Sequence, residues 1–225
     1  MATKKNRAFT LVELLVVISI IALLVAILLP ALNRAREQAK STICLTQLRS
    51  LGQATLLYAD QWDEFVPRGY GGGSLQDNWF QLLMPFIDQI DLDGDYSHME
   101  IYRCPSYPNK DSVITYVINS WDIIFGDINH PTKLSEFRRH GERVYMTDME
   151  YVPGVSPVIT QFDSPNVNHL DVWLLGHMAS GDESERRVAR SRHHGGHNAL
   201  YLDWHADWIS GDLTEEEYTR MWLSL

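Results

Sequence analysis

Basic residues are in deficit in this chain: 19 Lys and Arg stand against 29 Asp and Glu, for a formal net charge of -10. Three of those cations, Lys4, Lys5 and Arg7, sit in the first eight residues without an acidic neighbour, so the body that follows is more acidic still. A body of that sign has little with which to neutralise phosphates, which argues against a nucleic-acid partner. It also argues against peripheral docking on anionic lipid. Solubility is the simplest role for the acidity. A glycine-rich phosphate loop, a nucleophile elbow and a helical H-E-x-x-H are all missing, so the common local signatures of catalysis are absent and the chain reads as a non-enzyme. Hydrophobic residues, by contrast, are not lacking. At 45% of 225 residues they exclude wholesale disorder and fit one anchor plus one globular domain.

The N-terminus is the most informative stretch. From Phe9 to Leu29 almost every residue is apolar. At about 1.5 Å per residue such a helix crosses the roughly 30 Å hydrocarbon core of a bilayer. The basic flank precedes the run, which predicts a cytoplasmic N-terminus with the remainder across the membrane. A removable secretory signal would have a shorter apolar core followed by a small-residue cleavage site. Here the run is long, and A-L-N-R-A-R-E-Q-A-K after it reads as more helix. Glu13 breaks the apolar pattern. A carboxylate in a membrane span costs a few kcal/mol, although one this near the end can reach the interface. A second reading gives it a task. Cleavage before Phe9 would create an α-ammonium one helical turn away, and Glu13 of a neighbouring subunit could neutralise it. Such a pair sets register because an unpaired partner is penalised.

The segment R-A-F-T-L-V-E-L-L resembles the processing motif of type IV prepilins: a short basic leader, a small residue, an aromatic residue, Thr-Leu-x-Glu, then about twenty apolar residues with a proline near their end. The resemblance implies cleavage by a prepilin peptidase between Ala8 and Phe9, methylation at Phe9, an assembly role for Glu13 and a helix kink at Pro30. Ala8 stands where that family usually has Gly. It further implies an inner-membrane assembly platform and other pilin-like subunits as partners. The location implied is the bacterial inner membrane, single-pass, with the head periplasmic or extracellular after assembly.

Past Pro30 the helix is expected to continue, bent, to about Asp60, roughly 75 Å in all at the standard rise. Leu45, Leu48, Leu51, Gly52, Leu56 and Ala59 recur at three- and four-residue steps and mark one apolar face. The pattern stops too soon for an isolated coiled coil. Gly69 to Ser74 reads as a surface loop and Trp79 to Ile87 as a short helix or buried segment interrupted by Pro85. Asp91, Asp93 and Asp95 resemble the opening of a calcium loop. The position of the later bidentate Glu holds Tyr102, so a solvated acidic turn is the better reading and calcium the lesser one. β-rich runs cover Val113 to Ile118, Arg143 to Thr147 and Ala199 to Ile209, spaced as for antiparallel pairing. Leu213 to Leu225 reads as a helix with Thr214 and Glu217 at capping-box spacing.

Cys44 and Cys104 are the chain's two cysteines. In an exported domain an even count suggests a bridge, here one between the long helix and the head. Two buried thiols are the alternative. Near the other end, R-H-H-G-G-H-N-A-L-Y-L-D-W-H resembles the C-terminal motif of a pseudopilin-like family, His, nine residues, Asp-Gly, then usually His. His193, Asp203 and His205 take those places, with Trp204 where Gly is usual. If that position needs a positive φ, the turn here is expected to differ, because Trp tolerates that geometry poorly. The likeness extends to I-C-L-T-Q-L-R-S-L-G-Q-A and to R-C-P-S, and it implies a long helix on a small antiparallel sheet. His193, His194, His197 and His205 with Asp203 and Asp207 could hold zinc, but strand alternation leaves no defined third ligand, and hydrogen bonds holding a hairpin explain His193 and Asp203 as well.

The reading is therefore an α+β, pilin-like chain: leader 1–8, membrane half of the long helix 9–29, its soluble half 30–60, and a globular head 61–225. Its expected work is that of a subunit of a type IV pilus-like filament or a type II secretion pseudopilus, without a required cofactor. A membrane-tethered metal-dependent enzyme and an envelope-anchored binding protein that does not polymerise are the alternatives.

Overall fold

The computed structural model describes residues 11–67, 78–87, 99–120, 133–156, 158–160, 170–172, 177–178 and 185–222. Ala8 and Phe9, the Gly69 to Ser74 loop and the Asp91, Asp93 and Asp95 turn lie outside them. Two compact units divide the chain, Met1–Ala39 and Lys40–Leu225.

Helix α1 runs Leu11–Gln61 and passes through Pro30, whose missing N–H deprives the Ala26 carbonyl of its donor one turn on. In the first unit every side chain from Leu11 to Arg36 is exposed. A helix apolar on all sides calls for lipid or a large core around it, and α1 is long and apolar enough to cross a membrane. The one hydroxyl within that stretch, Ser19 Oγ, donates back to the Leu15 carbonyl at 2.7 Å, so it needs no water.

In the second unit α1 turns Ser41, Cys44, Leu48, Leu51, Gly52, Ala54, Thr55 and Ala59 inward. The three- and four-residue steps are as expected, but the inner stripe differs in detail. Leu56 is exposed, Leu45 is half-buried, and Ser41, Cys44 and Thr55 take inner positions. The helix closes with the Glu64 N–H donating to the Ala59 carbonyl at 2.8 Å. Asp63 and Glu64 adopt left-handed φ of 51° and 68° at that end.

A five-stranded sheet of order β3-β1-β2-β4-β5 carries the core. Its strands are β1 Tyr116–Asn119, β2 Val144–Asp148, β3 Asp171–Val172, β4 Gly196–Tyr201 and β5 Ala206–Ser210. Four of them pair antiparallel, as the turn spacing predicts, whereas β3 joins the edge at β1 in parallel. The run expected as one strand from Ala199 to Ile209 is instead a hairpin, broken at 202–205. All residues of β2 and β4 are buried, because the sheet is covered on both faces. On one side α1 approaches closely enough that a Cβ on Gly52 would lie 2.9 Å from Leu200 Cδ1. On the other, the His197 ring stacks on Tyr218 of the C-terminal helix at 5.8 Å.

That helix, here α3, spans Glu215–Trp222, while α2 is the short Trp79–Leu83 segment continued by a 3-10 turn at Met84–Phe86. The capping box forms as its spacing predicts: Glu217 Oε2 accepts from the Thr214 N–H at 2.8 Å, and Thr214 Oγ1 accepts from the Glu217 N–H at 3.3 Å. At the other end Arg143 donates to the Arg220 carbonyl and Asn119 Nδ2 to the Trp222 carbonyl, so orphan acceptors of the last turn are met from β1 and from the residue before β2.

Candidate functional site

Four buried groups converge where α1 crosses the sheet. Cys44 lies on the inner stripe of α1. Cys104 follows the 3-10 turn Glu100–Tyr102, held by its own N–H, which donates to Thr115 Oγ1 at 2.7 Å. Asp148 ends β2. His193 opens the turn into β4, a two-residue reversal in which His194 and Gly195 both have positive φ (51° and 78°). That turn is closed by paired backbone bonds between His193 and Gly196. Three of the four side chains are 0% exposed, and His193 is 1% exposed.

Their atoms meet. Cys44 Sγ donates to Asp148 Oδ1 at 3.4 Å, Cys104 Sγ lies 3.3 Å from His193 Nε2, and His193 Nε2 lies 3.4 Å from Asp148 Oδ2. The potential donor atoms of all four fall within 4.8 Å of one another. The surrounding residues orient them. Tyr116 Oη donates to Gln47 Oε1 at 2.9 Å and lies 3.4 Å from Cys44 Sγ, and the Asn198 N–H donates to Asp148 Oδ2 at 2.9 Å. Cys44 and Cys104 are both free thiols, so the expected bridge between helix and head is not made, although the two side chains touch.

Charge is concentrated in this dry place. Burial works to raise Asp148, but the His193 hydrogen bond and charge, with the Asn198 N–H, hold it below the usual carboxylate range. Burial works to lower His193, yet Asp148 and Cys104 carry it up to about 9. The neighbouring Cys44 thiol lowers Cys104, while burial pushes Cys44 well up. A Cys–His–Asp grouping is also that of nucleophilic catalysis. All of these side chains are sealed from solvent, however, so the described residues offer a substrate no approach.

The other histidines and carboxylates of the C-terminal motif go elsewhere. Asp203 and His205 sit in the β4–β5 turn, not on a strand, and each side chain is 44% exposed. Asp203 accepts from both the backbone and the ring of His205, and that ring stacks on Tyr201 at 4.2 Å. Asp203 therefore bonds within the β4–β5 turn, and His193 lies elsewhere. It stands beyond the far end of β4, about 20 Å away at the usual strand rise. His197 is buried against Tyr218, His194 is exposed, and Asp207 lies on the exposed side of β5. Trp204 keeps the positive φ, at 70°. Glycine adopts this left-handed geometry more easily than Trp does, and the Trp204 ring makes an edge-on contact with Tyr145 at 5.8 Å.

Asp148 is the residue that sequence reasoning passed over. It closes an otherwise apolar run, Val144 to Thr147, and a strand-ending acid ordinarily faces water. At the membrane end, Glu13 lies in the first turn of α1 and Pro30 within it.

A family model described as the prokaryotic N-terminal methylation motif matches residues 3–29. The first 29 residues thus carry the methylation motif that type IV prepilins also have, and the match does not extend into the head. No curated protein and no solved structure matches the chain.

Proposed function

We propose that the chain is a structural or assembly subunit of a type IV pilus-like filament or a type II secretion pseudopilus, cut before Phe9 by a prepilin peptidase and methylated there. The observation that carries this reading is the methylation motif at residues 3–29, with one carboxylate, Glu13, in its apolar run. In a merely tethered protein a carboxylate there makes insertion harder. A polymerising one gains a partner for the α-ammonium of Phe9 on the next subunit, and with it a fixed register. The acidic head, carried across the membrane, forms the outward surface of the assembly.

Mass measurement of the cellular protein should give a chain beginning at N-methylated Phe9. Glu13→Gln keeps the size and hydrogen bonding of the side chain but removes its charge. The variant should still insert and be cut, and its sheared or cross-linked multimers should fall steeply. Leaving one member of a buried ion pair alone costs roughly 3–5 kcal/mol, a hundredfold or more per contact. Equal multimer yields at equal expression would end the assembly role, and a mature chain that retains Met1 would end the prepilin reading.

A further inference from the structure

We propose that Cys44, Cys104, Asp148 and His193 form a structural zinc site that ties the soluble half of α1 to the head. The site is unlike the zinc set that the C-terminal histidines suggest from sequence, sharing only His193 with it. The ligand types suit the metal: two thiols, one imidazole and one carboxylate are a borderline-soft, four-donor set of the kind zinc takes in closed sites. The spacing suits it too. With bonds of about 2.3 Å to sulfur and about 2.0–2.1 Å to nitrogen and oxygen, the edges of a regular tetrahedron come to about 3.5 Å for sulfur–oxygen and sulfur–nitrogen pairs and about 3.3 Å for nitrogen–oxygen. Here Cys44 Sγ lies 3.4 Å from Asp148 Oδ1, Cys104 Sγ 3.3 Å from His193 Nε2, and His193 Nε2 3.4 Å from the other oxygen of Asp148, Oδ2. One donor atom from each of the four residues lies within 4.8 Å of the others, so a cation at the centre requires the ligands to draw in by about an ångström at the longest edge.

Burial fixes the class of site. With four protein donors and at most 1% exposure at any of them, no coordination position is left for water or substrate, which is the arrangement of a structural rather than a catalytic centre. The surrounding hydrogen bonds favour the same occupant. Asp148 is oriented by the Asn198 N–H, the kind of outer contact that aims a metal ligand, and Cys44 Sγ packs 3.4 Å from the Tyr116 hydroxyl. His193 presents Nε2 to the cluster, so as a ligand it would carry its proton on Nδ1. Zinc would displace the thiol protons and the second imidazole proton, and would join four places far apart in sequence. These are the inner stripe of α1, the segment after residue 102, the end of β2 and the turn into β4.

The test uses the full-length chain, purified in detergent without a histidine tag. Elemental analysis should find one zinc per chain, and both thiols should resist alkylation until a strong chelator removes the metal. Cobalt(II) added to the stripped protein should give the intense visible bands of a tetrahedral ion together with thiolate-to-cobalt charge transfer. Cys104→Ser should lose the charge-transfer intensity of one thiolate and at least tenfold in metal affinity, and Asp148→Asn should weaken binding by a similar factor. His205→Ala should leave stoichiometry unchanged. If the cysteine variants do not fold, the cobalt spectrum of the unaltered protein decides alone. Three results overturn the proposal: a metal-free protein with Cys44 and Cys104 cross-linked in a non-reducing peptide map, two free thiols that give no cobalt thiolate band, or zinc that survives the loss of both cysteines.

Discussion

His197 makes the fold sensitive to acid. It is 0% exposed on β4, and neither ring nitrogen has a hydrogen-bond partner among the described residues. Its neighbours are Tyr218 of α3, stacked at 5.8 Å, and the charges of Arg190 and His193 before β4 and of Asp148 on β2. Burial first, then the cations, push its pKa down to about 4, against the pull of Asp148. The folded state therefore holds the ring neutral, while the unfolded chain takes up a proton near pH 6.5. Stability from this group is complete above about pH 6.5 and is lost as pH falls toward 4, at up to the slope of a single proton, about 1.4 kcal/mol per pH unit. By pH 4 the loss is about 3 kcal/mol, a large part of a typical folding free energy. His197→Phe keeps a ring against Tyr218 and removes the titration. Denaturant unfolding of both proteins from pH 7.5 to 4 isolates the effect, because the remaining carboxylates contribute equally to each curve. The variant's advantage should grow by about 3 kcal/mol over that window. A constant difference across pH would refute the reasoning, and would mean that the ring finds water or a partner in the folded protein.

Two local devices can be measured in the same way. At Trp204, with φ of 70°, truncation to Ala and to Gly removes the same contact with Tyr145, but only Gly relieves the left-handed backbone. Trp204→Gly should be about 1 kcal/mol more stable than Trp204→Ala by thermal or chemical unfolding, and equal stabilities would show that the turn relaxes around the larger residue. Thr214→Ala removes the cap of α3 and should cost about 1 kcal/mol, with fraying of Glu215 to Glu217 seen as faster amide exchange. Unchanged exchange there would mean that Arg143 and Asn119, which meet the carbonyls of the other end, suffice to hold the helix.

Most of the architecture is written in local patterns. The apolar run, the three- and four-residue stripe on α1, the Thr214–Glu217 spacing and the β-rich runs at Val113, Arg143 and Ala199 each depend on neighbours within a turn or a strand, and each element is there. Failures occur where a non-local contact decides. Leu56 is as apolar as Leu48, yet only Leu48 faces the sheet, because a 3.6-residue period carries Leu56 off the stripe that Ser41, Cys44, Leu48, Leu51, Thr55 and Ala59 define. The run from Ala199 to Ile209 has strand propensity throughout, but Asp203 and His205 bond to each other and to the backbone, which stabilises a reversal instead. The two-residue β3 has too little length to register as a pattern at all.

The buried cluster is the sharper case. His193 and Asp203 form a motif in sequence, and the motif suggests a partnership that the fold does not make. A six-residue strand stands between them. His193 finds its carboxylate in Asp148, across two paired strands, and its sulfur in Cys104, on a segment with no regular structure. No spacing rule links residues 44, 104, 148 and 193, since they meet through the approach of α1 to the sheet and the Thr115 bond that holds Cys104. That approach is itself legible only in retrospect, through Gly52. A Cβ there would lie 2.9 Å from Leu200 Cδ1, so the Leu200 side chain would have to turn aside for the helix to keep its distance. The close approach brings Cys44 down to Asp148, so the small residue at 52 and the polar cluster at 44 follow from one packing decision.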